Sequence, residues 1–362
     1  MVKISGTEYT KTELLKRVGD MSQLALVKAV EYGDGKEKGV RTLQFHTGSG
    51  LEFSVVVDRA MDIFDAKFCG TSLCWHSPTG VTAPAYYDAH DLGWLWSMPG
   101  GLLVTCGMQH AGPPEEDELE ERGLHGRVSN IPASSVSYGA DWEGEEYMLW
   151  ASGQVREGKP FGPNLLLRRT VHALLGQSKI WIKDIVENQG FEPAPLMMLY
   201  HCNMGFPLVD QDSELIGVMN TVTPRDKAAS KGLQQFDHFG EPVTPYAEQV
   251  FFIDHDADEN GVVNVALVNR KFRDNQGLGI ALAYPKHQMP EYTEWKMMGE
   301  GTYVVGMEPG NCRPEGQNLA RKRNALVMLQ PRETAVFQLE ITILTDNNDI
   351  RLFESKLRGL DR

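Results

Sequence analysis

Thr334-Ala-Val-Phe-Gln-Leu-Glu-Ile-Thr-Ile-Leu344 puts Phe337, Leu339, Ile341 and Ile343 at every second position, with Gln338, Glu340 and Thr342 between them. A period of two over such a run marks a half-buried strand, because a helix would space its apolar residues three and four apart. Leu51-Glu-Phe-Ser-Val-Val-Val57, Tyr147-Met-Leu-Trp-Ala-Ser-Gly-Gln-Val155, Lys179-Ile-Trp-Ile-Lys-Asp-Ile-Val186 and Val262-Val-Asn-Val-Ala-Leu-Val268 read as strands as well. All are rich in β-branched or aromatic residues and bounded by Gly, Pro, Asn or Asp. Helical pattern is scarce. Thr10-x-x-Glu13 can form a capping box ahead of Leu14 and Leu15, and Arg225–Leu233 and Asp349–Leu357 give two further short candidates.

Many strands with few helices predict an all-β fold, since each sheet must bury one face against another. The strands run from about residue 40 to residue 345 without a linker-like break, and no repeat of 20–50 residues suggests a propeller. The expected organisation is therefore an N-terminal helix and lead-in strands over 1–39, one large β domain over 40–345, and a C-terminal helix over 346–362 packed on the same domain.

The chain has 362 residues, of which 41% are hydrophobic and 23% charged, a composition that excludes disorder as its general state. Its formal net charge of −14 opposes phosphate backbones and anionic lipid, so neither nucleic acid nor membrane is an expected partner. No stretch approaches the ~18 consecutive apolar residues of a membrane-spanning helix. The first residues lack the apolar core of a secretory signal, and the five cysteines are spread out with no C-x-x-C, which together predict a cytoplasmic protein with reduced thiols. The acidic run Glu115–Glu121 reads as a solvated loop, or as a flap over a site, because Gly123-Leu-His-Gly-Arg127 follows it.

The familiar catalytic signatures are missing. There is no H-x-H or H-E-x-x-H among the ten histidines, so a metal-free, cofactor-free site is the expectation. Gly-x-Ser-x-Gly, Walker A and Gly-x-Gly-x-x-Gly are absent too. What stands out instead are ionisable side chains among small residues. His125 lies in Gly123-Leu-His-Gly-Arg127, where the backbone can approach a ligand closely. Leu199-Tyr-His-Cys-Asn-Met-Gly-Phe-Pro207 places His201 and Asn203 on one face of a strand. Val305-Gly-Met-Glu-Pro-Gly-Asn311 ends a strand with Glu308 at a turn, and Arg59 and Asp62 follow a strongly apolar strand. Each has a plain structural alternative: a satisfied histidine, a turn-capping glutamate, a local Arg59–Asp62 ion pair. Taken together, two imidazoles and a carboxylate resemble a general acid/base set able to protonate one oxygen while deprotonating another.

These segments resemble the galactose mutarotase superfamily, the aldose 1-epimerases and their relatives. Leu124-His-Gly126 is similar to the family's Leu-His-Gly-Gly, Tyr200-His-Cys-Asn-Met-Gly-Phe206 to its Asn-His-(Ser/Thr)-Tyr-Phe-Asn-Leu, and Gly306-Met-Glu-Pro309 to its Leu-Glu-Thr-Gln. Glu248-Gln-Val-Phe251 stands where the family has Asp-x-x-Phe. Asp58-Arg-Ala-Met-Asp-Ile63, Trp75-His-Ser-Pro-Thr-Gly80, Gly100-Gly-Leu-Leu-Val-Thr-Cys-Gly107 and Glu308-Pro-Gly-Asn311 resemble a divergent epimerase-like branch. The resemblance covers roughly residues 40–345 and implies a galactose mutarotase-like sandwich of large, twisted antiparallel sheets.

It also implies a chemistry. Glu308 would take the proton of the anomeric hydroxyl, His201 would protonate the ring oxygen, and His125 would help polarise that oxygen. Arg59, Asp62, Arg127, Asn203 and Glu248 would hold the sugar hydroxyls, with Trp75 or Trp295 under the C–H face. Arg127 stands in place of the second family glycine, the glutamine after the family glutamate is absent, and Glu248 is one methylene longer than the family aspartate. These departures suggest a monosaccharide or derivative other than galactose, with an anionic one served by Arg59 and Arg127. Two alternatives stay open: enolisation of a keto sugar, which a metal would favour and which His110, near His125 in sequence, keeps open, and a carbohydrate-binding protein without catalysis. Apolar strands at a sheet edge would support a homodimer.

Overall fold

The alternation seen in sequence becomes alternating burial: along Glu146–Gly158 buried residues fall at every second position. A computed structural model of the protein describes residues 1–4, 6–116 and 120–359. Its largest sheet has eight antiparallel strands, in the spatial order Ser134–Glu143, Glu146–Gly158, Asn164–Leu174, Lys179–Asn188, Thr334–Leu344, Leu278–Pro285, Val262–Asn269 and Ser213–Gly217. Opposite it lies a seven-stranded sheet in the order Met219–Pro224, Gln249–His255, Glu291–Gly299, Thr302–Gly310, Ala194–Gly205 and Val327–Leu329, with Val104–Met108 also pairing Ala194–Gly205. A five-stranded sheet formed by Leu26–Glu31, Arg41–His46, Leu51–Val56, Asp62–Phe68 and Thr71–Ser72 completes the sandwich. Because Leu26–Glu31 pairs with Arg41–His46, the 39/40 boundary falls inside a hairpin.

One apolar core joins all three sheets, with Phe45 and Val55 from the third, Leu149, Leu167, Ile182 and Leu339 from the first, and Tyr200, Phe251 and Val305 from the second. Within it sits an ion network. Arg169, fully buried, donates from Nε and Nη2 to Asp184 (2.9 and 2.6 Å), from Nη1 to Asp62 (2.7 Å) and from Nη2 to Thr105 Oγ1 (2.9 Å). Tyr200 Oη donates to the same Asp184 carboxylate at 2.7 Å.

The helices are short, as their sequences suggest. Thr10 and Glu13 form both halves of a capping box at Lys11–Leu15, Asp226 caps Lys227–Gly232, and Asp346 caps Asn347–Arg358. The last of these seats Ile350 against Ala266, Val268, Ala281 and Leu344 of the large sheet. In the acidic run, Glu115–Glu116 pairs with Glu121–Arg122, and residues 117–119 lie outside the described residues. Glu115 is not a solvated loop residue, since its carboxylate accepts from Asn318 N (3.1 Å). Among the described residues no helix is long and apolar enough to cross a membrane.

Candidate active site

Alternation along Ala194–Gly205 decides what faces what. Tyr200 points into the layer between the sheets, where it meets Asp184 and, ring to ring at 6.2 Å, Phe337. His201 therefore points the other way. The register that pairs Leu199 with Gly310 and Cys202 with Met307 sets His201 opposite Glu308 on the neighbouring strand. Thr293 pairs with Glu308 and Trp295 with Gly306, which brings the Trp295 ring onto the same face. Gly306 makes the space: a Cβ there would lie less than 3.0 Å from Glu308 Oε1.

Glu308 Oε1 and His201 Nε2 stand 3.1 Å apart, with the side chains 2% and 7% exposed. The contact is not aligned as a hydrogen bond, and both Glu308 Oε1 and His201 Nδ1 are buried without a hydrogen-bond partner. The His125 ring meets His201 edge-on at 6.0 Å between centroids and leans on Trp94 at 4.9 Å. His125 adopts a left-handed backbone (φ 55°), clamped where its N–H donates to Gly112 O (2.9 Å) and its carbonyl accepts from Gly107 N (3.0 Å). Gly126 follows because a Cβ there would run into the carbonyl oxygens of Gly107 and His110, each 2.5 Å away. Trp295 lies 5.5 Å from His201 and 6.3 Å from Trp75, edge-on to both. At the exposed rim, Glu248 accepts from Trp295 Nε1 (2.9 Å) and from Arg225 Nη2 (2.8 Å).

Burial sets the protonation. It pushes the Glu308 carboxyl well above the ordinary carboxylate range, helped by Glu248 and opposed by Arg225. It pushes His201 down to about 4 and His125 down to about 3. Burial thus favours a neutral carboxyl facing neutral imidazoles, whereas the expected chemistry calls for carboxylate and imidazolium. The two descriptions differ only in where one proton sits.

Several expected ligand contacts are placed elsewhere. Arg59 is 3% exposed, and its guanidinium donates to Ser129 O (2.6 Å), Thr82 O and Oγ1 (3.2 and 2.9 Å) and Ser97 O (2.8 Å), so it ties loops together and is closed to an anion. Asp62 sits behind the sheet, held by Thr105 and Arg169, and makes no ion pair with Arg59. Asn203 is fully buried, and its amide N–H groups go to the carbonyls of Gly101 (3.1 Å) and His201 (2.9 Å), which makes it a holder of its strand. Arg127 is exposed and holds neither Glu308 nor Asp62: the cations acting on those carboxyls are Arg225 and Arg169. Glu308, His201, His125, Trp295, Trp75 and Glu248 do come together.

A family model described as a domain of unknown function, DUF4432, matches residues 37–343. The chain belongs to the DUF4432 family. No curated protein matches it. Among solved structures, a candidate aldose 1-epimerase from Klebsiella pneumoniae subsp. pneumoniae is similar, with a TM-score of 0.87 and 26% identity over 93% of this chain and 88% of that one. A galactose mutarotase-like protein from Clostridium acetobutylicum has a TM-score of 0.62 and 12% identity over 89% of this chain and 99% of that one. Galactose 1-epimerase from Lactobacillus acidophilus has a TM-score of 0.56 and 11% identity over 88% and 98%. The fold of this DUF4432 protein is thus the galactose mutarotase-like sandwich.

Sequence reasoning missed two parts of this DUF4432 site. Arg225, which ties Glu248 to Asp226 at the rim, was visible only as the start of a helical segment. Trp94, under His125, lies in a 3-10 turn (Gly93–Trp96) that carries no strand signal. For metals, the described residues offer one group, Asp65, Cys74 and His76; it includes neither His110, whose Nε2 is 2.8 Å from Pro113 O, nor His125.

Proposed function

We propose that this DUF4432 protein is an aldose 1-epimerase-type enzyme that opens and recloses the ring of a sugar hemiacetal by acid/base catalysis. The observation that carries the reading is the buried, unaligned Glu308–His201 pair at 3.1 Å, with a second imidazole edge-on beside it. Two groups with unfilled hydrogen-bonding atoms, holding one proton between them, match a reaction that adds a proton at one oxygen and removes one at another.

Glu308 is the base and His201 the acid. Sugar hydroxyls entering the site supply the hydrogen bonds that a buried carboxylate lacks, and the proton that burial holds on Glu308 passes to His201. The carboxylate then takes the anomeric hydroxyl proton, the imidazolium protonates the ring oxygen, and the C1–O5 bond breaks. Rotation about C1–C2 and reclosure from the other face reverse both transfers, so the pair ends in its starting state. His125, neutral and fixed by its backbone clamp, steers the ring oxygen. Trp75 and Trp295 offer apolar faces to the sugar's C–H surface, and Glu248 with Arg225 binds hydroxyls at the rim. The rim carboxylates Glu248 and Asp226 outnumber Arg225, which favours a neutral sugar over an anionic one.

The test is NMR on the purified protein with a panel of neutral aldoses, uronic acids, sugar phosphates and keto sugars, repeated with Glu308→Gln. Saturation exchange between α and β anomeric protons that disappears in the variant is the expected result. Exchange of a carbon-bound proton with deuterium would replace the reading with enolisation. Sugar binding without either exchange, unchanged in Glu308→Gln, would replace it with a binding protein.

A further inference from the structure

Trp75 reaches the site from an extended segment whose neighbours, Cys74 and His76, point to the opposite side. Cys74 forms an isolated bridge with Met204 and His76 one with Gly100, while Trp75 N donates to Asn203 O (3.0 Å) and its carbonyl accepts from Gly101 N (2.7 Å). Behind this segment runs the strand Asp62–Phe68, which contributes Asp65. Three different donor types converge there. His76 Nε2 is 3.8 Å from Cys74 Sγ and 3.6 Å from Asp65 Oδ1, and each residue presents an atom within 4.8 Å of the other two.

We propose that Cys74 Sγ, His76 Nε2 and Asp65 Oδ1 bind one divalent transition-metal ion of the zinc type, with a fourth position open to water. Zinc lengths of about 2.3 Å to sulfur and about 2.0–2.1 Å to nitrogen and oxygen give tetrahedral edges of roughly 3.5 Å (S to N) and 3.3 Å (N to O). The separations of His76 Nε2 from sulfur and from oxygen exceed these by only a few tenths of an ångström, and the third edge, sulfur to carboxylate oxygen, lies within 4.8 Å, a span that side-chain rotation can close. Thiolate, imidazole and carboxylate together suit zinc over magnesium or calcium, which take oxygen donors.

A second observation points the same way. Asp65 Oδ1 is buried and has no hydrogen-bond partner, although Lys67 Nζ pairs with the other oxygen, Oδ2, at 3.0 Å. A buried carboxylate oxygen without a donor calls for an explanation, and a cation between it, the sulfur and the imidazole supplies one. The His76 ring is stacked on Phe64 at 4.4 Å and 18°, which fixes its direction, and its side chain is 41% exposed, which gives an ion a way in. Without an ion the Cys74 thiol donates to Phe64 O at 3.4 Å, and burial holds it up at about 12. Binding therefore displaces the thiol proton to solvent, as coordinating thiols generally require. The resulting Cys⁻, Asp⁻ and M²⁺ sum to a neutral site. An ion there would pin the backbone on both sides of Trp75 without touching Glu308 or His201.

The experiment uses the full chain, stripped with a chelator and titrated with Co²⁺ and then Zn²⁺. One equivalent of Co²⁺ is expected to give tetrahedral visible bands and a near-ultraviolet thiolate-to-cobalt charge-transfer band, both erased by Zn²⁺. Cys74→Ser should abolish the charge-transfer band. His76→Gln, at an exposed side chain that folding tolerates, should weaken Co²⁺ binding by at least about tenfold. Absence of the charge-transfer band in the wild type overturns the proposal. So does a band that survives Cys74→Ser, which would move the thiolate to another cysteine such as exposed Cys69, and so does unchanged affinity in His76→Gln.

Discussion

Gly306→Ala separates the site's geometry from its stability. Gly306 lies in a strand and has no left-handed backbone requirement, so alanine meets no conformational barrier there. The added Cβ would stand less than 3.0 Å from Glu308 Oε1, 3.3 Å from Glu308 Cδ and 3.0 Å from Trp295 Cβ. The nearest atom is the far end of a flexible side chain, so the least costly response is for the carboxyl to swing away by roughly 1 Å, to ordinary van der Waals separation. Global stability should then change by no more than about 1 kcal/mol, because the strain is relieved at a side-chain tip and alanine restricts the unfolded chain slightly. Catalysis should not escape. A misplacement of about 1 Å in a reacting group costs on the order of 10²-fold in rate, or about 2.7 kcal/mol of barrier. Anomer exchange measured by NMR, alongside thermal unfolding, provides both numbers. A Gly306→Ala protein with a full rate would refute the placement of Glu308 as base. A rate loss that merely tracks a large drop in melting temperature would refute the claim that the space beside the carboxyl serves the chemistry.

Other measurements test the framework. Arg169→Met leaves Asp62 and Asp184 buried without their cation and should cost about 3–5 kcal/mol, read from denaturant midpoints. Burial raises Glu157 from 4.5 to about 7, so the folded state holds a proton that the unfolded chain releases: stability present at low pH is lost as pH rises from about 4.5 to about 7. That contribution is about 3 kcal/mol, and Glu157→Gln should gain on the wild type by up to that amount between pH 5 and pH 8 in paired denaturation curves; parallel curves would exclude it. Asp346→Ala removes the side chain that accepts from Asn348 N and Asp349 N and should cost about 1 kcal/mol, by the same assay.

The sheets were legible because their strands are long and half-buried, so that solvent and core impose the alternation that Thr334–Leu344 displays. The cluster of His125, His201 and Glu308 was legible for a different reason: each sits among small residues, and their order along the chain resembles a known family. Arg59 and Asp62 share that local appearance, yet they serve the interior. Nothing local distinguishes an arginine whose donors will meet Ser129, Thr82 and Ser97 carbonyls from one that will meet a ligand, because those partners lie up to 70 residues away. Gly306 was visible as a residue, but its purpose depends on Trp295 across the ladder. Cys74-x-His76 carried a usable signal, two ligand types on one face, but Asp65 joins them only through the fold.

The Ala194–Gly205 strand connects these two kinds of residue. Its rear face gives Tyr200 to the Arg169–Asp184–Asp62 network, which also reaches Thr105 on the adjoining strand. Its front face gives His201 to Glu308. A buried ion network is weak evidence for stability, since well-packed apolar residues often do as well. What the network supplies here is direction. Arg169 uses both carboxylates and a hydroxyl, and the Tyr200 hydroxyl closes on Asp184, so a one-residue slip of this strand would bury those charges unpaired. The same slip would turn His201 inward. Register, and with it the 3.1 Å approach of imidazole to carboxyl, is thereby enforced from the opposite side of the sheet.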